Sequence, residues 1–439
     1  MADPGYSFRQ YLPRSRSIQD ILAIVPPVNI ISYLTSKIDK FSPKRQDDKN
    51  GNPTVTSSLD FIVNRFSAFS TYMHLSIFGN AANLADENAS RITTCDPDDY
   101  YHALSIDCTQ VPRCCVEPYI LKGYVLPYMP WRYYLKVLWI PNNELFNVWT
   151  HLLPSLYFMY LWYTFSQTLD LMDNWPLFSV TFASIILTMC SALAHAFHSR
   201  STYHHSCWFM LDYFGITTFA FSSTVAHFFA CSELSYYNMF GPINLKILLV
   251  NCFLGFLCCS ISQTGKKLVS ICHARRYKLW SNALGYLYGM LPVGHRMYVL
   301  WHDEDPAITY HALQFLFLVL APLWYTSDFP QRLFPGKFDV IGHSHQIFHI
   351  FGALACYFNI HAVHMDITSS RWSLLSSQEG HPDFHTVLFC YGILCVYCLL
   401  VGIYMATVVK ATNSSLGCCC AKITEENQDP NNNEMKKEQ

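Results

Sequence analysis

Charge is what this sequence has least of. Only 14% of its 439 residues are Asp, Glu, Lys or Arg, against roughly a quarter in soluble globular chains, too few to cover the surface of a water-borne enzyme of this length. The charges nearly cancel, to a net -2, and no basic run dominates, which excludes nucleic acid as a partner. The first residues hold arginines and prolines but no continuous apolar core, so no cleavable signal peptide is expected. Cysteine is plentiful at 18, yet Cys190, Cys252, Cys258, Cys259 and Cys356 fall inside or beside apolar stretches. They read as small polarizable packing residues rather than a disulfide scaffold.

What fills the space is apolar: 51% hydrophobic and 16% aromatic residues. From position 146 onward the chain is a series of stretches of about 20 residues, each matched to the hydrocarbon thickness of a bilayer. They lie at 146–167, 176–197, 207–230, 243–263, 279–300, 309–327, 345–366 and 385–410. The expected fold is an all-α polytopic membrane bundle, a seven-helix core plus an eighth C-terminal helix. The domain pattern is then 1–143 as a partly disordered N-terminal region, 144–410 as the bundle and 411–439 as a polar tail.

Loop charges set the orientation. Arg200, then Lys266, Lys267, Arg275, Arg276 and Lys278, then Arg332 and Lys337 follow the second, fourth and sixth stretches. Asp170, Asp173, Glu233, Asp303, Glu304, Asp305 and Glu379 mark the other side. By the positive-inside rule both termini are cytoplasmic. That is opposite to a rhodopsin-like receptor, whose D-R-Y and N-P-x-x-Y marks are also missing.

Intramembrane ionisable groups are costly and point to function. His345 and His349 are four residues apart, so on a helix both rings leave one face. Ser191 and His195 repeat that spacing near the cytoplasmic end of the second stretch, and Asp212 lies inside the third. At a common depth, the three imidazoles and the carboxylate suggest a tetrahedral zinc with ligands His195, His345 and His349 and an open position for water. Asp212 and Ser191 are then the candidate catalytic pair, Asp212 as general base, although Asp212 could instead pair with Arg200. Glu144, Asn147 and His151 share a face at the start of the first helix, where Glu144 reads equally well as a solvated helix-start carboxylate. His151, His198, His227, His295, His361 and His364 read as hydrogen-bonded packing residues. Cys95, Cys108, Cys114 and Cys115 fit no familiar zinc spacing. Asn88-Ala-Ser90 is a glycosylation sequon, and Cys418, Cys419 and Cys420 are candidates for palmitoylation or plain thiols.

Four ordered motifs carry a resemblance: Asn143-Glu-Leu-Phe-Asn-Val-Trp-Thr-His-Leu-Leu152, Ser191-x-x-x-His195, Leu211-Asp-Tyr-x-Gly215 and Ser344-His-Gln-Ile-Phe-His349. Together they resemble the progestin and adipoQ receptor family over residues 117–366. Glu117-Pro-Tyr-Ile, Gly123-Tyr and Phe334-Pro-Gly-Lys-Phe-Asp-x-Ile-Gly-His-Ser-His345 look like its membrane progestin receptor branch, as does the eighth helix. The resemblance implies a cytoplasmic N-terminus in the plasma membrane and zinc on His195, His345 and His349, with Asp212 and Ser191 near the bound water. It implies a progestogen steroid or other lipid as ligand and rapid signalling to a G protein or another cytoplasmic partner. By extension from the adiponectin receptor branch it also implies zinc-dependent hydrolysis of ceramide-type amides. A proton or metal transporter is a third reading, but it lacks a ladder of ligands through the other leaflet.

Overall fold

The computed structural model describes the backbone of residues 106–240, 243–264, 271–300 and 305–426. Cys95, the Asn88 sequon, Lys266, Lys267, Asp303 and Glu304 lie outside the described residues, as do the side chains of Arg275, Arg276, Cys418, Cys419 and Cys420.

Eight long helices account for most of the described chain: α1 Leu145–Ser166, α2 Trp175–Phe197, α3 Thr202–Phe229, α4 Ile243–Thr264, α5 Ile271–Val299, α6 Pro306–Ser327, α7 Ser344–Ile367 and α8 Phe384–Glu426. Among the described residues there is no strand, only an isolated bridge between Ile106 and Tyr124. Five of the helices are long and apolar enough to cross a membrane, six if α3 and the short helix Leu234–Phe240, bent by 111°, form one span. The all-α membrane bundle is therefore what the apolar stretches foretold. Two boundaries differ from expectation. α5 begins at Ile271 rather than at 279, and α8 runs on to Glu426. Lys278, counted among the loop cations, thus belongs to a helix and is buried, its ammonium donating to Gln263 Oε1 at 2.6 Å.

α3 is the central post, packed against α2, α4, α5 and α8, while α7 lies against α6 and α1. A post in that position must hide its polar side chains. Thr217, Thr218 and Ser222 each turn their hydroxyl back to the carbonyl four residues earlier, at 2.8, 2.8 and 2.9 Å, so these three donors are satisfied within the helix itself. Gly215 lets α3 approach α2. A Cβ there would stand 2.9 Å from Leu187 Cα and 3.2 Å from the Ile186 carbonyl oxygen, so any larger residue would push the two backbones apart. Phe158, Leu177, Val180, Phe219, Ala226, Cys356 and Ile360 close the interior between α1, α2, α3 and α7.

One end of the bundle is tied by charge. Arg296 on α5, 1% exposed, donates to Asp366 on α7 at 2.8 Å, to Asp305 before α6 at 2.6 Å and to the Cys231 carbonyl at 2.9 Å. His311 on α6 reaches the same Asp366 oxygen at 2.9 Å. Midway along, His227 donates to the Gly289 carbonyl at 2.9 Å and accepts from Gln314 at 3.1 Å, the packing role expected of it.

Residues 106–143 lie across the opposite end. Asp339, in the α6–α7 connection, accepts from the successive amides of Leu121 and Lys122 at 3.1 and 2.9 Å. Asn143 donates its amide to the Gly123 carbonyl at 2.9 Å, and Tyr128 to the Arg200 carbonyl at 2.8 Å. This segment and the ends of α1, α2, α3 and α7 enclose the polar cluster described next.

Candidate metal centre

Two helix ends bring the three predicted imidazoles together. α2 delivers His195 from its last turn, and α7 delivers His345 and His349 from its first two turns. Ring centroids are 5.0 Å apart for His195 and His345, 4.7 Å for His195 and His349, and 4.7 Å for His345 and His349. One nitrogen from each ring lies within 4.8 Å of the others. The i, i+4 spacing read from the sequence is thus realised, with the third imidazole supplied across the bundle.

The hydrogen bonds around these rings decide which nitrogen is available. His195 Nδ1 lies 2.7 Å from Glu144 Oε2, an acceptor, so Nδ1 carries the proton and Nε2 presents its lone pair. His349 Nδ1 lies 3.1 Å from the Asn147 carbonyl oxygen, which fixes the same tautomer. Thr150 Oγ1 is 3.4 Å from that nitrogen. His195 Nε2 then faces His345 Nε2 at 3.2 Å, a separation that requires either a proton on His345 or a cation between the rings. The donor set fits a zinc ion. It offers three neutral imidazoles, at least two oriented by oxygen acceptors behind them, in the manner of carboxylate–histidine–zinc arrangements.

Glu144 is the residue the sequence undersold. Read as a solvated helix-start carboxylate, it is only 5% exposed. Its Oε2 also accepts from Asn147 Nδ2 at 2.8 Å, and its Oε1 accepts from Asn143 Nδ2 at 2.9 Å and lies 3.3 Å from His198 Nε2. The shared face of Glu144, Asn147 and His151 was the signal that could have found it. His151 packs flat on His349, with ring centroids 3.9 Å apart at 4°, and donates to the His349 carbonyl at 3.2 Å. It is a packing residue, as expected, and it holds a ligand in place.

Ser191 sits one turn before His195 on α2, and Asp212 on α3 lies near both. Asp212 feels the charge of His195 but is not among the mutually close donors of the three-histidine group. Pairing with Arg200 is not what the structure shows: that guanidinium donates to the Met129 carbonyl at 3.3 Å and stacks 4.3 Å above the Trp131 ring. Another trio, Cys231, His311 and Asp366, lies at the other end of the bundle, but there Arg296 already supplies the positive charge.

Comparison with known proteins places this arrangement. A family described as haemolysin-III related matches residues 139–361, a stretch that contains Glu144, Ser191, His195, Asp212, His345 and His349. The chain is 34% identical over 315 residues to the membrane progestin receptor alpha-B of Danio rerio, covering 69% of this chain and 87% of that protein. It is 33% identical over 273 residues to the human membrane progestin receptor alpha, covering 61% and 78%. Against the human membrane progestin receptor beta the figures are 30% over 317 residues, covering 69% and 87%.

Proposed function

From the premise that the chain belongs to the haemolysin-III related family, among the membrane progestin receptors, we propose that it is a receptor for progestogen steroids built around a zinc-binding trio of histidines. The observation that carries the zinc reading is the 3.2 Å approach of His195 Nε2 and His345 Nε2, one of them a bare lone pair, beside His349. The names of the relatives supply the steroid class. The loop charges support an N-terminal region, residues 1–143, and a metal centre facing the cytoplasm of the plasma membrane in this reading, where a G protein or another signalling partner could read the state of the bundle.

In this reading each residue has a definite task. Glu144 and the Asn147 carbonyl hold the protons of His195 and His349 on their outer nitrogens, leaving the inner ones to bind. When bound, zinc would supply a tie between α2 and α7, or Lewis acidity toward an oxygen-bearing ligand. A steroid enclosed by the helices bears on α2, α3 and α7, and the tie makes their movement concerted.

A second reading, hydrolysis of ceramide-type amides, is favoured by one observation, the position of Asp212 and Ser191 close to His195. There Asp212 would take a proton from the attacking water and Ser191 would fix the carboxylate's orientation. Purified protein separates the two. Saturable binding of labelled progesterone that survives Asp212→Asn supports the receptor. Ceramide turnover lost in Asp212→Asn with zinc content unchanged supports the hydrolase. Absence of zinc from the protein and of any loss in His349→Ala would remove the basis of both.

A further inference from the structure

Behind Glu144 lies a second set of soft donors. The turn Arg113–Cys115 brings Cys114 and Cys115 to the end of the bundle, where Cys115 packs among Val111, Ile120 and Tyr124. The turn after α2 contributes His198, and the first turn of α3 contributes His205. Cys115, His198 and His205 are 4%, 3% and 2% exposed. One donor each from Cys114, Cys115 and His205 lies within 4.8 Å of the others.

We propose that Cys114, Cys115 and His205 bind a second zinc ion through two thiolates and an imidazole, with His198, beside His205 but outside that 4.8 Å group, as the nearest further donor. Bond lengths of roughly 2.3 Å to sulfur and 2.0–2.1 Å to nitrogen around a tetrahedral ion imply edges of about 3.8 Å between sulfurs, 3.5–3.6 Å between sulfur and nitrogen and 3.3 Å between nitrogens. The structure has 3.8 Å between Cys114 Sγ and Cys115 Sγ, 3.6 Å between Cys115 Sγ and His205 Nδ1, and 3.1 Å between His198 Nδ1 and His205 Nδ1. The carboxylate 3.3 Å from His198 Nε2 favours the proton there, which turns the Nδ1 lone pair toward His205. Thiolates combined with imidazole are the donors of a zinc site, whereas calcium and magnesium would demand oxygen. The three ligands are held by a short turn and a first helical turn, so the ion would staple the segment 106–143 to the start of α3. The chain spacing, adjacent cysteines followed 83 and 90 residues later by histidines, explains why no zinc motif is visible in the sequence.

The test does not depend on the three-histidine centre, which contains no sulfur. Metal analysis of the full-length protein purified in detergent is expected to give two zinc ions per chain, falling to one in the Cys114→Ser/Cys115→Ser double variant and to one in His349→Ala. After exchange for cobalt, the thiolate-to-metal charge-transfer band is expected in the wild type and in His349→Ala, and absent from the double variant. A wild type without that band, a band that persists in the double variant, or a Cys114–Cys115 disulfide in protein purified under non-oxidising conditions would overturn the assignment. The spectrum of the wild type decides the matter even where the double variant does not fold.

Discussion

Glu144→Gln removes one charge and almost no volume, so its effect isolates what the carboxylate does. The group is 5% exposed and accepts from three donors, His195 at 2.7 Å, Asn147 at 2.8 Å and Asn143 at 2.9 Å. An amide has one acceptor where the carboxylate has two. If its oxygen stays with His195, its NH2 confronts the Asn143 donor; if it turns, its NH2 confronts His195 Nδ1 and drives the ring proton to Nε2, into the metal centre. Either way the imidazole loses basicity and its fixed tautomer. Loss of such an outer partner typically weakens metal affinity by about 10–100-fold, or roughly 1.4–2.8 kcal/mol. The assay is competition for zinc against a chromophoric chelator, on protein already carrying Cys114→Ser and Cys115→Ser so that only the three histidines are titrated. The packing of α1 against α2 and α7 has no reason to change, and the variant is expected to remain folded. Zinc affinity within twofold of the parent would refute the assignment of Glu144 as the residue that orients His195.

Gly215→Ala forces a methyl into the α2–α3 contact, 2.9 Å from Leu187 Cα, and is expected to cost about 1–3 kcal/mol, read as a lower midpoint of thermal unfolding in detergent. Arg296→Met takes the nearest guanidinium from the buried Asp366 and leaves Arg371 3.9 Å away; up to about 3–5 kcal/mol of destabilisation is expected, and restoration of the midpoint by a second change, Asp366→Asn, checks that charge is the cause. Asp212→Asn is expected to leave zinc content and progesterone affinity within twofold of wild type, measured by metal analysis and radioligand binding. Chelation of zinc from the wild type is expected to lower the unfolding midpoint by untying α2 from α7, and His349→Ala to show a smaller further drop on chelation, compared by the same thermal scan.

The helices themselves were legible because a bilayer leaves few alternatives: an apolar stretch of about 20 residues must pair its own backbone groups, and only a helix does so within one segment. His345 with His349 and Ser191 with His195 were legible because a spacing of four is a statement about one helix face. What escaped needed knowledge across segments. Hydropathy put Glu144 at a solvated end, but residues 106–143 lie over that end and bury it. Lys278 looked like a loop cation until α5 was seen to begin at Ile271, with the ammonium held by Gln263. Arg296 meets Asp305, Asp366 and the Cys231 carbonyl from four different parts of the chain, a convergence no periodicity encodes. His198 read as packing because its neighbours Glu144 and His205 come from two other helices.

Glu144 turns one oxygen toward His195 and the other toward His198, and a single anion serving two clients cannot serve them independently. Were both proposed clusters to hold an ion, occupancy on one side would change affinity on the other, and by the same factor in reverse. The carboxylate is then a hinge for information as well as for geometry: how firmly residues 106–143 are fastened down would be felt where α2 meets α7.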